Sequence, residues 1–232
     1  MHLLSHLLSL SYRKDIKLAT KKSQAHTRYK NAEGVGVAGV TTILNILNKP
    51  ALIPWANKLG LEGIQVGKYV DDKADIGTLA HNMIHCHLTK EECDTSEYSK
   101  KQIEQAENCI ISFHDWEKAN NIEPLILERQ LVSEDYQYGG TIDIYVRMGE
   151  HLVLIDLKTG KAIYDNMAYQ LAAYSELLIE NDHHVDYSMI LNIPRAENEN
   201  FAVRRWDNLD KEFRIFTNCL EIYNLQKEIK GS

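Results

Sequence analysis

The stretch from Gly139 to Lys158, GGTIDIYVRMGEHLVLIDLK, constrains the fold of this chain more than any other. Apolar and polar residues alternate in it twice, with the period of a half-buried strand, around a short Met148–His151 connection that contains a glycine. This pattern predicts a β-hairpin. With the turn centred between Gly149 and Glu150, Asp143 falls opposite Asp156. The same period puts Asp143, Asp156 and Lys158 on one face, and Ile142, Ile144, Ile155 and Leu157 on the other. Opposed like charges destabilise a sheet, and two carboxylates gain from such a position when a cation lies between them. Oxygen donors of this kind suit Mg²⁺ or Mn²⁺. On spacing alone, an exposed sheet face explains the same residues equally well.

The remaining segments read as elements around this hairpin. Tyr29 and Val37 flank an Asn31–Gly34 turn that predicts a small hairpin, and Thr41 or Thr42 is expected to cap a short helix from Ile43 to Leu47, ending before Pro50. A second helix is expected from Ile53 to Lys58. A third opens at Asp75 and runs to Leu88, placing His81 and His85 on one face and His87 off it. Ile103, Ala106, Ile110 and Phe113 predict a packing helix from Ser99 to Asn120. Leu125–Val132 reads as a strand in which Glu128, an acid among apolar neighbours, needs a partner. Behind the central hairpin come a helix from Asn166 to Glu180 with Gln170 and Tyr174 on one face, strands over 185–193 and 200–206, and a last helix capped by Asn208. The sum is an α/β fold with a mixed central β-sheet flanked by helices.

Charge and cysteine usage narrow the function. The net charge of −7 argues against a protein that holds nucleic acid by bulk electrostatics, yet residues 1–30 carry +6 and leave −13 for the rest. A basic N-terminal arm over 1–26, on an acidic body from 27 to 232, fits phosphate contacts by the arm and metal recruitment by the body; a solvated terminus fits it as well. The leader has a faint likeness to a mitochondrial presequence, and no apolar run reaches the ~20 residues a membrane helix requires. Cys86, Cys93, Cys109 and Cys219 have no CxxC spacing, so a reduced, cytoplasmic protein is expected.

Four short motifs follow one another in order: Gly77-Thr78-Leu79-Ala80-His81, Gly140-Thr141-Ile142-Asp143, Asp156-Leu157-Lys158 and Gln170-Leu171-Ala172-Ala173-Tyr174. With them the chain resembles the PD-(D/E)XK nuclease superfamily, in particular its RecB-like exonuclease branch, which includes phage recombination nucleases and the mitochondrial genome maintenance exonuclease. The resemblance implies a restriction-endonuclease-like core and a Mg²⁺- or Mn²⁺-dependent deoxyribonuclease, acting on single-stranded DNA or DNA ends in phage or organellar replication, recombination or repair. It implies that Asp143 and Asp156 bind the metal with the Leu157 carbonyl and His81, that Lys158 orients or deprotonates the attacking water, and that Glu128 is an auxiliary acid. Thr159, Lys161, Gln170 and Tyr174 would meet the DNA. Relatives with an iron–sulfur cluster have three cysteines after the core; here only Cys219 lies there, so no cluster is expected. A single-strand-binding or recombination protein is a candidate partner, and the cytoplasm, the host's if the protein is viral, is the expected compartment, with the mitochondrion as alternative. A structure-specific endonuclease and a catalytically silent nucleic-acid-binding module are the competing readings.

Overall fold

In the computed structural model, residues 28–231 apart from 48 and 197 are described; the basic arm over 1–26 lies outside them. The first hairpin pairs β1 (Tyr29–Lys30) with β2 (Gly36–Gly39) as expected. Asn31 closes its turn, its side-chain oxygen accepting from the Val35 N–H at 2.8 Å, and Gly34 supplies the positive φ of 80°. Helix α1 (Val40–Leu44) starts before the expected Thr41 or Thr42, at Gly39, which offers no side-chain cap. Burial of Val40 and Ile43 sets its position instead.

Helices α2 (Leu52–Leu61), α3 (Val66–Thr89) and α4 (Lys100–Asn120) follow. The expected start of α3 at Asp75 is nine residues late, because its first turns are largely exposed and Gln65 provides no capping side chain. Helix α4 keeps to its expected bounds, since Ser99 and Gln102 form a capping box. Then come β3 (Ile122–Ser133), β4 (Tyr138–Met148), β5 (His151–Lys158), α5 (Asp165–Glu180), β6 (Tyr187–Asn192), β7 (Ala202–Trp206) and α6 (Asp210–Gly231). Pro124 enters β3 where the register slips between Pro124 and Ile126, the kind of place where a strand tolerates a residue without an N–H.

The strands form one seven-stranded mixed sheet. β4 pairs along its length with β3, antiparallel. Its other edge is divided: β5 takes Ile144–Met148, antiparallel, and β2 takes Tyr138 and Gly139, parallel. β5 continues in parallel with β6, and β7 closes that side. The hairpin register is the expected one, Met148↔His151 through Ile144↔Ile155, after which the two strands part.

Two apolar cores lie on the two faces. One gathers α1, α5 and α6 around Ile142, Tyr145 and Leu154; the other gathers α3 and α4 around Ile144, Val146, Ile155 and Leu157. Each fully buried Ile or Leu contributes roughly 1.5–3 kcal/mol of transfer free energy. Ile142 therefore does not share a face with Ile144 and Leu157, contrary to simple alternation. The ladder passes from Leu127↔Ile144 to Arg129↔Ile142 in unchanged register but leaves out Glu128 and Asp143, and the side-chain alternation of both strands changes phase across that gap. Glu128 sits at φ 45°, in the left-handed region a non-glycine residue enters at a cost.

Candidate metal centre

The change of phase delivers the site. Where β5 leaves β4, Asp143 is open to the α3 side, and its Oδ2 accepts a hydrogen bond from the Leu157 N–H at 2.9 Å. His81 reaches it from α3, its Nδ1 lying 3.7 Å from Asp143 Oδ1 and 3.8 Å from Glu128 Oε1. These are ion-pair distances, too long for hydrogen bonds. One ligand atom from each of His81, Glu128 and Asp143 lies within 4.8 Å of the others.

Asp156 follows on β5 with 1% of its surface exposed. Lys158 pairs with its Oδ2, and among the described residues no other group bonds either carboxylate oxygen. An ionised carboxylate buried in this state is costly unless a cation completes it. Burial pushes Asp156 up to about 6, with Lys158 opposing and Asp143 reinforcing. Asp143 is likewise raised by burial, against the pull of His81. Burial by itself would lower His81, but Asp143 and Glu128 outweigh it and hold the imidazole at about 9. Without a metal, then, burial favours the protonated forms of Asp143 and Asp156, while His81 keeps its proton. The donor set that meets, the Asp143 and Glu128 carboxylates and the His81 imidazole, fits a divalent cation.

The small residues of the motifs explain how the parts come so close. A Cβ on Gly77 would lie 3.0 Å from Thr159 Oγ1, so this glycine lets α3 settle on the end of β5. A Cβ on Gly140 would meet Tyr174 Cε1 at 2.6 Å, so Tyr174 lies flat over β4. Gln170 Nε2 donates to the Tyr174 hydroxyl at 2.8 Å, as their helical spacing suggests. Burial, with Asp156 and Asp143 adding to it, keeps that phenol protonated. Lys161 is exposed on the loop after β5. The Leu157 N–H donates to Asp143, and its carbonyl, expected as a metal ligand, belongs to the same strand end.

Three residues at the site carry no expected role. Tyr29 lies against Gly39 and Gly139, and its hydroxyl is 3.0 Å from Thr141 Oγ1. Asn192, fully buried on β6 opposite Lys158, holds the following loop by bonding the Gly160 N–H and C=O at 3.1 and 3.0 Å. A lone Asn within the apolar run YSMILNI was the available signal for it; nothing local marks Tyr29. His85, 5% exposed with both ring nitrogens unpartnered, shares a pocket with His81, Glu128 and Asp143, and burial lowers its pKa.

No family model matches the chain. No curated protein does either. Among solved structures it is similar to a protein from Eubacterium rectale provisionally described as an exonuclease, at 13% identity over 77% of this chain and 69% of that one, with a TM-score of 0.39. It is also similar to the alkaline exonuclease of Laribacter hongkongensis, at 12% identity over 66% and 84% of the two chains, TM-score 0.36. A complex of that exonuclease with dAMP is a further match, at 12% identity over 66% and 85% of the chains and a TM-score of 0.28. Likeness at this level leaves the chemistry to be read from the site's own atoms.

Proposed function

We propose that this chain is a divalent-metal-dependent nuclease that hydrolyses phosphodiester bonds in DNA, acting as an exonuclease on single strands or DNA ends, with residues 27–232 as its nuclease domain. The observation that carries the reading is the His81–Glu128–Asp143 cluster, with Asp156 buried to 1% exposure on the neighbouring strand and paired with Lys158. Asp143, Asp156, Glu128 and His81 would hold Mg²⁺ or Mn²⁺. The bound ion would supply the Lewis acidity that lowers the pKa of an attacking water and offsets charge on the phosphodiester oxygens.

The chain's own groups do the rest. Lys158 Nζ, fixed on the strand end by its contact with Asp156, places a positive charge where negative charge develops on the phosphoryl group. Thr159 and Lys161, on the loop that Asn192 holds, and the half-buried Gln170 are placed to meet the phosphate backbone. Tyr174 supports Gln170 from beneath. Preference for ends over internal bonds follows the sequence resemblance, and the substrate test decides it.

That test compares end-labelled linear with matched circular single-stranded DNA, in Mg²⁺, Mn²⁺ or EDTA, using wild type and Asp156→Ala. Metal-dependent loss of the linear substrate alone, abolished by the substitution, supports the exonuclease. Nicking of the circle selects an endonuclease at the same site. Survival of single-stranded, duplex and RNA substrates alike, with folded and metal-loaded protein, would reject a nuclease in favour of a binding module.

A further inference from the structure

A second group of metal-ligating side chains lies on the helix pair, away from the acidic cluster. Helices α3 and α4 run side by side in the same direction. Gln102 donates to Asp72 and Asp75 at 3.0 and 3.3 Å near one end, and His87 Nε2 meets Glu117 Oε2 at 2.6 Å near the other. The connection between them returns along α3, where Asn82 Nδ2 approaches Cys93 Sγ at 3.3 Å. The two helices consequently end together. At that shared end His87 of α3 faces His114 and Glu117 of α4, with one ligand atom of each within 4.8 Å of the other two.

Several independent features favour a cation here. A helix C-terminus carries partial negative charge, and two such ends converge on this cluster. Glu117 stands in the last turn of α4, where an acid is unfavourable unless a positive charge joins it. His114 and Glu117 are three apart on one helix, a spacing that holds both groups on one face. The imidazoles of His87 and His114 cross at 84° with centroids 5.1 Å apart, and fully buried Phe113 closes the inner side, its ring 6.4 Å from that of His87. A simple His87–Glu117 ion pair accounts for two members of the group and leaves His114 without a role. Two imidazole nitrogens and one carboxylate oxygen are a donor set for Zn²⁺ rather than for Mg²⁺, with water as the fourth ligand.

We propose that His87, His114 and Glu117 bind a zinc-class ion that clamps α3 to α4. His87 lies six residues beyond His81, about 9 Å along the helix at 1.5 Å per residue, so the clamp is separate from the acidic cluster while steadying the helix that carries His81. All three ligands are half-buried, open enough to load.

The test uses the full chain carrying Asp143→Asn and Asp156→Asn, so that the acidic cluster does not compete. Titration with Co²⁺ should give one equivalent with the intense visible absorption of a four-coordinate ion, displaced by Zn²⁺. Adding His114→Gln should abolish that band and weaken Zn²⁺ binding by more than the roughly 10–100-fold typical of losing an outer-shell partner, with unchanged far-UV circular dichroism. Glu117→Gln provides a second variant if His114→Gln folds poorly, and should weaken binding likewise. Absence of uptake, or uptake that survives these substitutions, overturns the clamp and leaves an ion pair. Nuclease activity is not the readout, so failure here is distinct from failure of the proposed function.

Discussion

Among the described residues, Lys158 is the cation that touches the buried Asp156, and its side chain keeps 20% of its surface exposed at the end of β5. Lys158→Ala is expected to lower single-turnover cleavage by ~10²-fold or more, the scale for losing an electrostatic catalytic group, with a lowered unfolding midpoint as Asp156 loses the charge that opposes its burial. Cleavage at the wild-type rate would remove Lys158 from the mechanism. His81 differs in kind. Held at about 9, it carries its proton at neutral pH between Asp143 and Glu128, and a metal bound there would displace that proton.

Among the elements, β3 carries the device that opens the site. Glu128 holds φ 45° so that the strand changes phase, and this conformation costs a residue with a Cβ roughly 1–2 kcal/mol relative to glycine. Glu128→Gly and Glu128→Ala both delete the carboxylate, but only the second keeps the strain. The glycine variant is expected to be the more stable of the two by about 1 kcal/mol in urea unfolding, despite its larger unfolded-state entropy. Equal stabilities would mean that the backbone there is unstrained. The contact of α5 with β4 makes the complementary case. Gly140→Ala would place a Cβ 2.6 Å from Tyr174 Cε1 and 2.9 Å from Leu177 Cδ1, overpacking that costs about 1–3 kcal/mol. A lowered thermal midpoint, together with loss of activity as Tyr174 and Gln170 shift, is the expected result.

For the whole molecule, the site links stability to pH and to metal. Asp156 is raised from 3.8 to about 6 and His81 from 6.5 to about 9, so the folded state binds more protons than the unfolded chain across both windows. Stability of the metal-free protein therefore falls as pH rises through 4–6 on account of Asp156, and again through 6.5–9 as the His81 contribution is lost. A divalent ion competes with those same protons. The rise in unfolding temperature on adding Mn²⁺ should thus be small at pH 5 and larger at pH 8. A metal increment independent of pH, or larger at pH 5, would place the ion elsewhere. Among the described residues no helix is long and apolar enough to cross a membrane.

Local chemistry determined much of this by itself. Alternation with a short turn set the β4–β5 register, Ser99 and Gln102 marked the start of α4, and Gln170 met Tyr174 because four residues is one helical turn. Those relations act within a few residues, where spacing is enough. Tertiary structure decided what spans the chain. The break in alternation at Glu128 and Asp143 carries no residue signature, and across it Ile142 and Ile144 fall in different cores. The division of the β4 edge between β2 and β5, the seat of Tyr29 on Gly39 and Gly139, and the meeting of His87 with His114 and Glu117 join segments separated by many residues. Their proximity depends on how sheet faces and helices pack, which is a property of the whole fold rather than of any local pattern.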